Sequence, residues 1–108
     1  MNIRGIGIDI VDISRIKGKS KLAERILSPK EFLAYQASSI PDDYLASRFA
    51  VKEAYVKASG DKTVDYRNLE TIDDENGKPH LFLNGKEVLG YLSLAHDLEA
   101  VAVLILME

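Results

Sequence analysis

The chain of 108 residues predicts a small α+β fold in which an antiparallel sheet packs against a long helix. Three patterns lead there. Ile6, Ile8 and Ile10 alternate with Gly5, Gly7 and Asp9, a period of two that makes a strand with one apolar face. Residues 43–59 run without a breaker up to Gly60 and read as the longest helix, closed by that glycine. Residues 91–95 and 100–107 are apolar runs around a turn at His96-Asp97-Leu98-Glu99, as expected of two neighbouring strands. The length is that of one domain, 1–108.

On the first strand Gly5 and Gly7 leave one face bare beside Asp9, so something large can approach there. Asp12-Ile13-Ser14 and the bases after it break the alternation. Residues 22–27 read as a short helix. Ser28-Pro29-Lys30-Glu31 is a helix start: Ser28 caps, Pro29 suits the first turn and Glu31 completes a capping box. A loop is expected at residues 38–43. In the long helix Leu45, Phe49, Val56 and Tyr55 are the candidate core residues. A strand near residues 68–73 leads to the turn Glu75-Asn76-Gly77-Lys78-Pro79. Residues 80–83 form the returning strand, Asn84-Gly85 turns again, and residues 87–89 read as a short helix. Residues 100–107, the longest apolar run, suit a buried strand.

Composition excludes several functions. The chain has no cysteine, which removes disulfides and thiolate metal sites. Fourteen Lys and Arg against seventeen Asp and Glu give a net charge of −3, unlike a general nucleic-acid binder. No segment approaches the roughly 20 apolar residues of a membrane span. Gly5 and Asp9 interrupt any apolar leader near the start, so the expected location is the cytoplasm. The charge is unevenly spread. Between Arg15 and Lys30 lie six bases and one acid, a net of +5, so the remainder carries −8. This stretch is either a solvated helix face with a lysine-rich loop or a docking patch for an acidic partner.

Chemistry-bearing motifs are sparse. There is no Gly-x-x-x-x-Gly-Lys loop, no His-Glu-x-x-His, and only two histidines, His80 and His96, too few for a multi-histidine zinc site. What remains is an oxygen-ligand site. Asp9 stands on an otherwise apolar and glycine strand, where a carboxylate is costly unless solvated, paired or metal-bound. Helical spacing puts Glu53 and Lys57 on or beside the face of Phe49 and Val56, although the same spacing fits an ordinary ion pair one turn apart. Two carboxylates from separate elements, meeting a phosphorylated substrate, would suit Mg²⁺. His96, at a strand end, is placed to touch a phosphate or take a proton, or is a turn residue. His80 reads as a surface residue. Arg48 points away from the face of Glu53, so a ligand shared by the two would have to be long.

These residues bring a family into view. Gly5-Ile6-Gly7-Ile8-Asp9-Ile10-Val11-Asp12-Ile13-Ser14-Arg15-Ile16 resembles the opening strand of bacterial holo-[acyl-carrier-protein] synthases, small 4′-phosphopantetheinyl transferases. Ala46-Ser47-Arg48-Phe49-Ala50-Val51-Lys52-Glu53-Ala54-Tyr55-Val56-Lys57-Ala58 resembles their Arg-Phe-Ala-x-Lys-Glu-Ala-x-x-Lys-Ala helix. Arg25-Ile26-Leu27-Ser28-Pro29-Lys30-Glu31, Asn76-Gly77-Lys78-Pro79 and Ser93-Leu94-Ala95-His96-Asp97 complete the likeness in order. Ser59-Gly60-Asp61-Lys62-Thr63 stands where the family has Gly-Thr-Gly, and Tyr91 where many members have a histidine.

The resemblance implies transfer of 4′-phosphopantetheine from coenzyme A to a serine of apo acyl carrier protein, releasing adenosine 3′,5′-bisphosphate. It implies that Asp9 and Glu53 hold Mg²⁺ on the pyrophosphate and that Lys57 contacts the same phosphates. Arg48 and His96 would meet the nucleotide end or its 3′-phosphate. Arg15, Lys19, Lys21 and Arg25 would meet the acidic helix of the carrier. It further implies a homotrimer with sites shared between subunits. The serine proton would pass to a carboxylate such as Glu53 or to a metal-bound water. The competing expectation is a non-catalytic module that binds an acidic partner through the stretch from Arg15 to Lys30.

Overall fold

In a computed structural model, which describes residues 2–108, the chain opens with strand β1 (Ile3–Asp12). Three helices come next: α1 (Ile13–Ile16), α2 (Ser20–Ile26) and α3 (Pro29–Ala37). The long helix α4 (Pro41–Ser59) succeeds them. A 3-10 turn, Tyr66–Asn68, leads into β2 (Leu69–Asp73), β3 (Pro79–Leu83) and β4 (Lys86–Glu87). Strands β5 (Gly90–His96) and β6 (Glu99–Met107) end the fold. Two antiparallel sheets result, in the orders β1-β6-β5 and β2-β3-β4.

The helix starts and stops obey local chemistry. Ser28 Oγ accepts from the Glu31 N–H while Glu31 Oε1 accepts from the Ser28 N–H, the reciprocal capping box expected at that site. Gly60 closes α4 in the left-handed conformation, φ 75°. Helix α4 starts at Pro41, so the loop before it is shorter than expected. Residues 86–87 are a strand and not the start of a helix. Asn84 and Gly85 both have positive φ, which makes a tight hairpin and pairs Lys86 with Leu83.

The glycine face of β1 is what α4 covers. A Cβ built on Gly5 would lie 2.0 Å from the Ala58 carbonyl oxygen, and one on Gly7 2.0 Å from that of Ala54. The large object that approaches the bare face is therefore the helix backbone of the same chain. The core stripe of α4 reflects this: Leu45, Ala46, Ala50, Val51, Ala54, Tyr55 and Ala58 are buried, whereas Phe49 and Val56 are only half-buried. Ala100, Ala102, Leu104 and Leu106 of β6 meet the stripe from the sheet. Each fully buried leucine contributes about 1.5–3 kcal/mol.

The isoleucines of β1 face the other way. Ile6, Ile8 and Ile10 are 60%, 57% and 59% exposed. They stand opposite Ile105, Val103 and Val101 of β6, which in turn pair with Tyr91, Ser93 and Ala95 of β5. The sheet thus has one face on α4 and one apolar face open in the single chain. Residues 100–107 are buried on alternate positions only.

A polar node ties the helical layer to the second sheet. Lys52 and Glu31 are 1% and 2% exposed. Lys52 Nζ donates to Glu31 Oε1 at 2.8 Å, to the Tyr66 carbonyl at 2.8 Å and to the Leu69 carbonyl. Glu31 Oε2 accepts from the Thr71 N–H at 2.9 Å. All three ammonium hydrogens thus have acceptors, the condition under which a buried pair is tolerated. Burial nonetheless pulls the Lys52 pKa below the ordinary lysine value, against the opposing pull of Glu31.

Candidate active site

Asp9 occupies the helix-facing side of β1, beside Ala102 of β6. Its carboxylate is 16% exposed and meets Lys57. Lys57 Nζ donates to Asp9 Oδ1 at 3.0 Å and to the Ile8 carbonyl at 2.9 Å. The ion partner of Lys57 is therefore Asp9 of the strand, not Glu53 one turn back on its own helix. The close seating of α4 on Gly7 brings these elements within reach.

Glu53 and Asp9 line one cleft of about 370 Å³, with Phe49, Leu22, Arg15 and Lys19 among its other walls. Two carboxylates 44 positions apart in the chain thus converge, with two cations at the rim. Tyr66 belongs to the same neighbourhood. Burial, the Glu53 carboxylate and then Asp9 push its phenol pKa up to about 12. The sequence carries no sign of this: Tyr66 lies in a polar connection beyond the long helix, and nothing local ties it to residues of α4.

Arg48 and His96 meet in a second, larger cleft of about 700 Å³. It lies between the start of α4, strand β5 and the turn before β3, with Tyr44, Lys78 and Tyr91 in its lining. The Arg48 guanidinium sits 4.2 Å from the Tyr44 ring centroid, and its Nε is buried with no hydrogen-bond partner among the described residues. His96 Nδ1 is 3.3 Å from Asp43 Oδ2. Lys78 Nζ lies 5.8 Å from the Tyr91 ring centroid. Within one chain, then, Asp9 and Glu53 share a cleft, Arg48 and His96 share another, and the two sets do not meet in a common pocket.

The six bases between Arg15 and Lys30 are all exposed. Lys19 joins the carboxylate cleft to a neighbouring groove of about 400 Å³ lined also by Lys21, Leu22 and Arg25. The positive stretch therefore begins at the carboxylates and runs outward along α2.

Residues 5–105 match the family model described as the 4′-phosphopantetheinyl transferase superfamily. The chain belongs to this superfamily. A holo-[acyl-carrier-protein] synthase of Staphylococcus saprophyticus is 39% identical over 104 residues, covering 87% of this chain and 88% of the relative. A solved holo-(acyl-carrier-protein) synthase of Bacillus anthracis, in complex with CoA (3′,5′-ADP), is 40% identical with a TM-score of 0.85 over 96% of each chain. The holo-[acyl-carrier-protein] synthase of Neisseria meningitidis has a TM-score of 0.87 at 33% identity, over 99% of this chain and 100% of that one. The 4′-phosphopantetheinyl transferase fold accounts for the two layers described above, the α+β class expected of the sequence. Both clefts fall inside the matched residues, so kinship and geometry bear on the same side chains.

Proposed function

We propose that this chain transfers 4′-phosphopantetheine from coenzyme A to a serine of apo acyl carrier protein, in the cytoplasm. Kinship with holo-[acyl-carrier-protein] synthases over most of the chain supports the reaction. The observation that carries the residue assignment is the convergence of Asp9 and Glu53 on one cleft rimmed by Arg15 and Lys19.

In this reading the serine oxygen attacks the β-phosphorus of the pyrophosphate. The bond from that phosphorus to the bridging oxygen breaks, adenosine 3′,5′-bisphosphate leaves, and the serine proton would pass to a carboxylate such as Glu53 or to water. Charge on the pyrophosphate must be met for this to proceed. Lys57 has three ammonium hydrogens and uses two of them on Ile8 and Asp9, which leaves one for a phosphate oxygen. Asp9 and Glu53 would hold Mg²⁺. The fit is in donor type: the two carboxylates line one cleft, and magnesium characteristically takes one or two carboxylates with phosphate and water completing its shell. When bound, the ion supplies charge neutralisation on the diphosphate.

Arg48 and His96 would bind the nucleotide end of coenzyme A, where an anionic 3′-phosphate can meet the guanidinium. Arg15, Lys19, Lys21 and Arg25 would dock the acidic carrier, raising its association rate in a salt-sensitive way. The separate clefts of one chain and the open isoleucine face of the sheet support a homotrimer whose sites combine the Asp9 cleft of one subunit with the Arg48–His96 cleft of a neighbour.

The test is to incubate the protein with coenzyme A, Mg²⁺ and an apo carrier protein and to follow carrier mass. A gain of phosphopantetheine with stoichiometric release of adenosine 3′,5′-bisphosphate is expected. No mass gain across several apo carriers would overturn the proposal.

A further inference from the structure

We propose that Asp42 is a positioning residue for carrier docking, its carboxylate fixing the turn that presents the basic stretch; this deepens, and rests on, the transferase reading above. The Gly18 N–H donates to Asp42 Oδ1 at 3.0 Å, across 24 positions of sequence. Gly18 sits between α1 and α2 with φ 70°, a left-handed backbone that glycine adopts without strain. Lys17 and Lys19 flank it, with Arg15 and Lys21 just beyond, all exposed. Asp42 lies in the first turn of α4, directly after Pro41. The docking bases are thereby tied to the helix that carries Glu53.

Little else holds this turn. Ile16 before it and Ala23 after it are buried, so α1 and α2 are each seated on the core. The other backbone N–H bonds of the turn are local: Lys19 donates to the Ile16 carbonyl at 3.1 Å and Ser20 to the Gly18 carbonyl at 3.0 Å. Helix α2 has no side-chain cap and no acid in its first turn. The bond to Asp42 is the turn's only side-chain hydrogen bond among the described residues, and it runs to a charged acceptor, the stronger class. Backbone left free here would have to be ordered when the carrier docks, at a cost in entropy. Charge and geometry predict opposite signs for the loss of Asp42. An acid beside four exposed bases opposes the attraction of an acidic partner, so on charge alone its removal strengthens docking. Losing the anchor of the turn weakens it. Asp43, the next residue, reaches His96 in the arginine–histidine cleft, so the two neighbouring acids serve different partners and have separable readouts.

Two variants separate these signs. Asp42→Ala removes the acceptor, whereas Asp42→Asn removes the charge and keeps a side-chain oxygen for the Gly18 N–H. Steady-state transfer is measured for wild type and both variants, with carrier and coenzyme A varied in turn, alongside thermal melts and exchange of the Gly18 amide by NMR. In Asp42→Ala the KM for carrier is expected to rise about 3–10-fold, with kcat and the KM for coenzyme A within about twofold and the Gly18 amide exchanging faster. Asp42→Asn should bring the carrier KM back to the wild-type value or below it. A carrier KM in Asp42→Ala at or below that of wild type would overturn the proposal, since charge alone would then decide. Equal rises in both variants would overturn it too, assigning the effect to the lost charge and not to the hydrogen bond. If Asp42→Ala also melts earlier, its combination with Lys19→Ala and Lys21→Ala decides. A residue that acts through those bases costs less carrier affinity once they are gone, whereas full additivity overturns the proposal. Absence of transfer by the wild type is a failure of the transferase reading and is seen before any variant is compared.

Discussion

Asp9 is held by Lys57, and Glu53 lies on the opposite wall of the same cleft. The two are differently placed. Asp9 sits on a strand packed to its neighbours by backbone hydrogen bonds, and Glu53 on a helix that can move only as a body. This arrangement has a direct consequence for substitution. Asp9→Ala and Glu53→Ala each remove one oxygen donor pair without opening the core, since both side chains border a cleft. Each is expected to lower Mg²⁺-dependent transfer at least about 100-fold while the melting temperature stays within a few degrees of wild type. Steady-state assays across a magnesium titration, paired with thermal melts, check this, and near-normal turnover in either variant would remove that residue from the site. His96 and Arg48 belong to the other cleft, so their loss is expected to raise the KM for coenzyme A before it touches the metal dependence.

At the scale of elements, the contact between β1 and α4 sets the site. Gly7→Ala pushes a methyl group to within 2.0 Å of the Ala54 carbonyl oxygen, and backbone cannot swing aside as a side chain can. About 1–3 kcal/mol of stability should be lost, and the helix displacement should separate Glu53 from Asp9, so turnover should fall further than stability alone explains. Denaturant melts and kcat measured on the same preparation test both parts.

The second sheet has its own linkage. His80 Nε2 meets Asp74 Oδ2 and its Nδ1 meets Glu87 Oε2, each at 2.9 Å. With both ring nitrogens on carboxylates, Asp74 first and Glu87 second, the His80 pKa is raised above the ordinary histidine value. A raised folded pKa means stability that is fully present below the unfolded value of about 6.5 and lost as pH climbs through the folded one. The melting-temperature advantage of wild type over His80→Gln should therefore be largest at mildly acid pH and shrink as the pH rises. A difference that does not vary with pH would show that the pairs contribute nothing through ionisation.

How far these elements could be read from sequence depended on the range of the interaction. The capping box at Ser28 and Glu31 joins residues three apart and was legible, as was the Gly60 stop. The Glu31–Lys52 pair spans 21 positions and was not, because a lysine beside Glu53 looks like any solvated helix residue. Hydropathy named Phe49 and Val56 for the core, yet alanines took the contact, since only small side chains let a helix backbone rest on strand glycines. Range also hid the pairing of His80, which reads as a surface residue. At residues 84–87 the hairpin won because positive φ at Asn84 and Gly85 outweighed the helical pattern of residues 87–89.

At the scale of the whole molecule, the two clefts and the open sheet face bear on each other. Ile6, Ile8 and Ile10, each more than half exposed, run in register with Ile105, Val103 and Val101. An apolar face of this extent on a small chain is a demand for a covering surface. If copies of the chain supply it as a closed ring, one type of interface repeats at every subunit, and the carboxylate cleft of one copy can complete the arginine–histidine cleft of the next. Subunit mixing tests the arrangement without a further structure. Asp9→Ala alone is expected to be nearly inactive, and His96→Ala alone nearly inactive at coenzyme A concentrations far below its raised KM, where the mixing is assayed. Mixed in equal amounts and reassembled, about a quarter of shared sites would draw an intact Asp9 from one subunit and an intact His96 from the other, so transfer should return to roughly that fraction of wild type. Sites confined to one subunit could never be repaired this way, and mixtures would stay as inactive as their parts. Placing a charge in the open face, as in Ile8→Lys, should leave a monomer by sedimentation and abolish the recovery, which separates genuine exchange of subunits from residual activity in either variant.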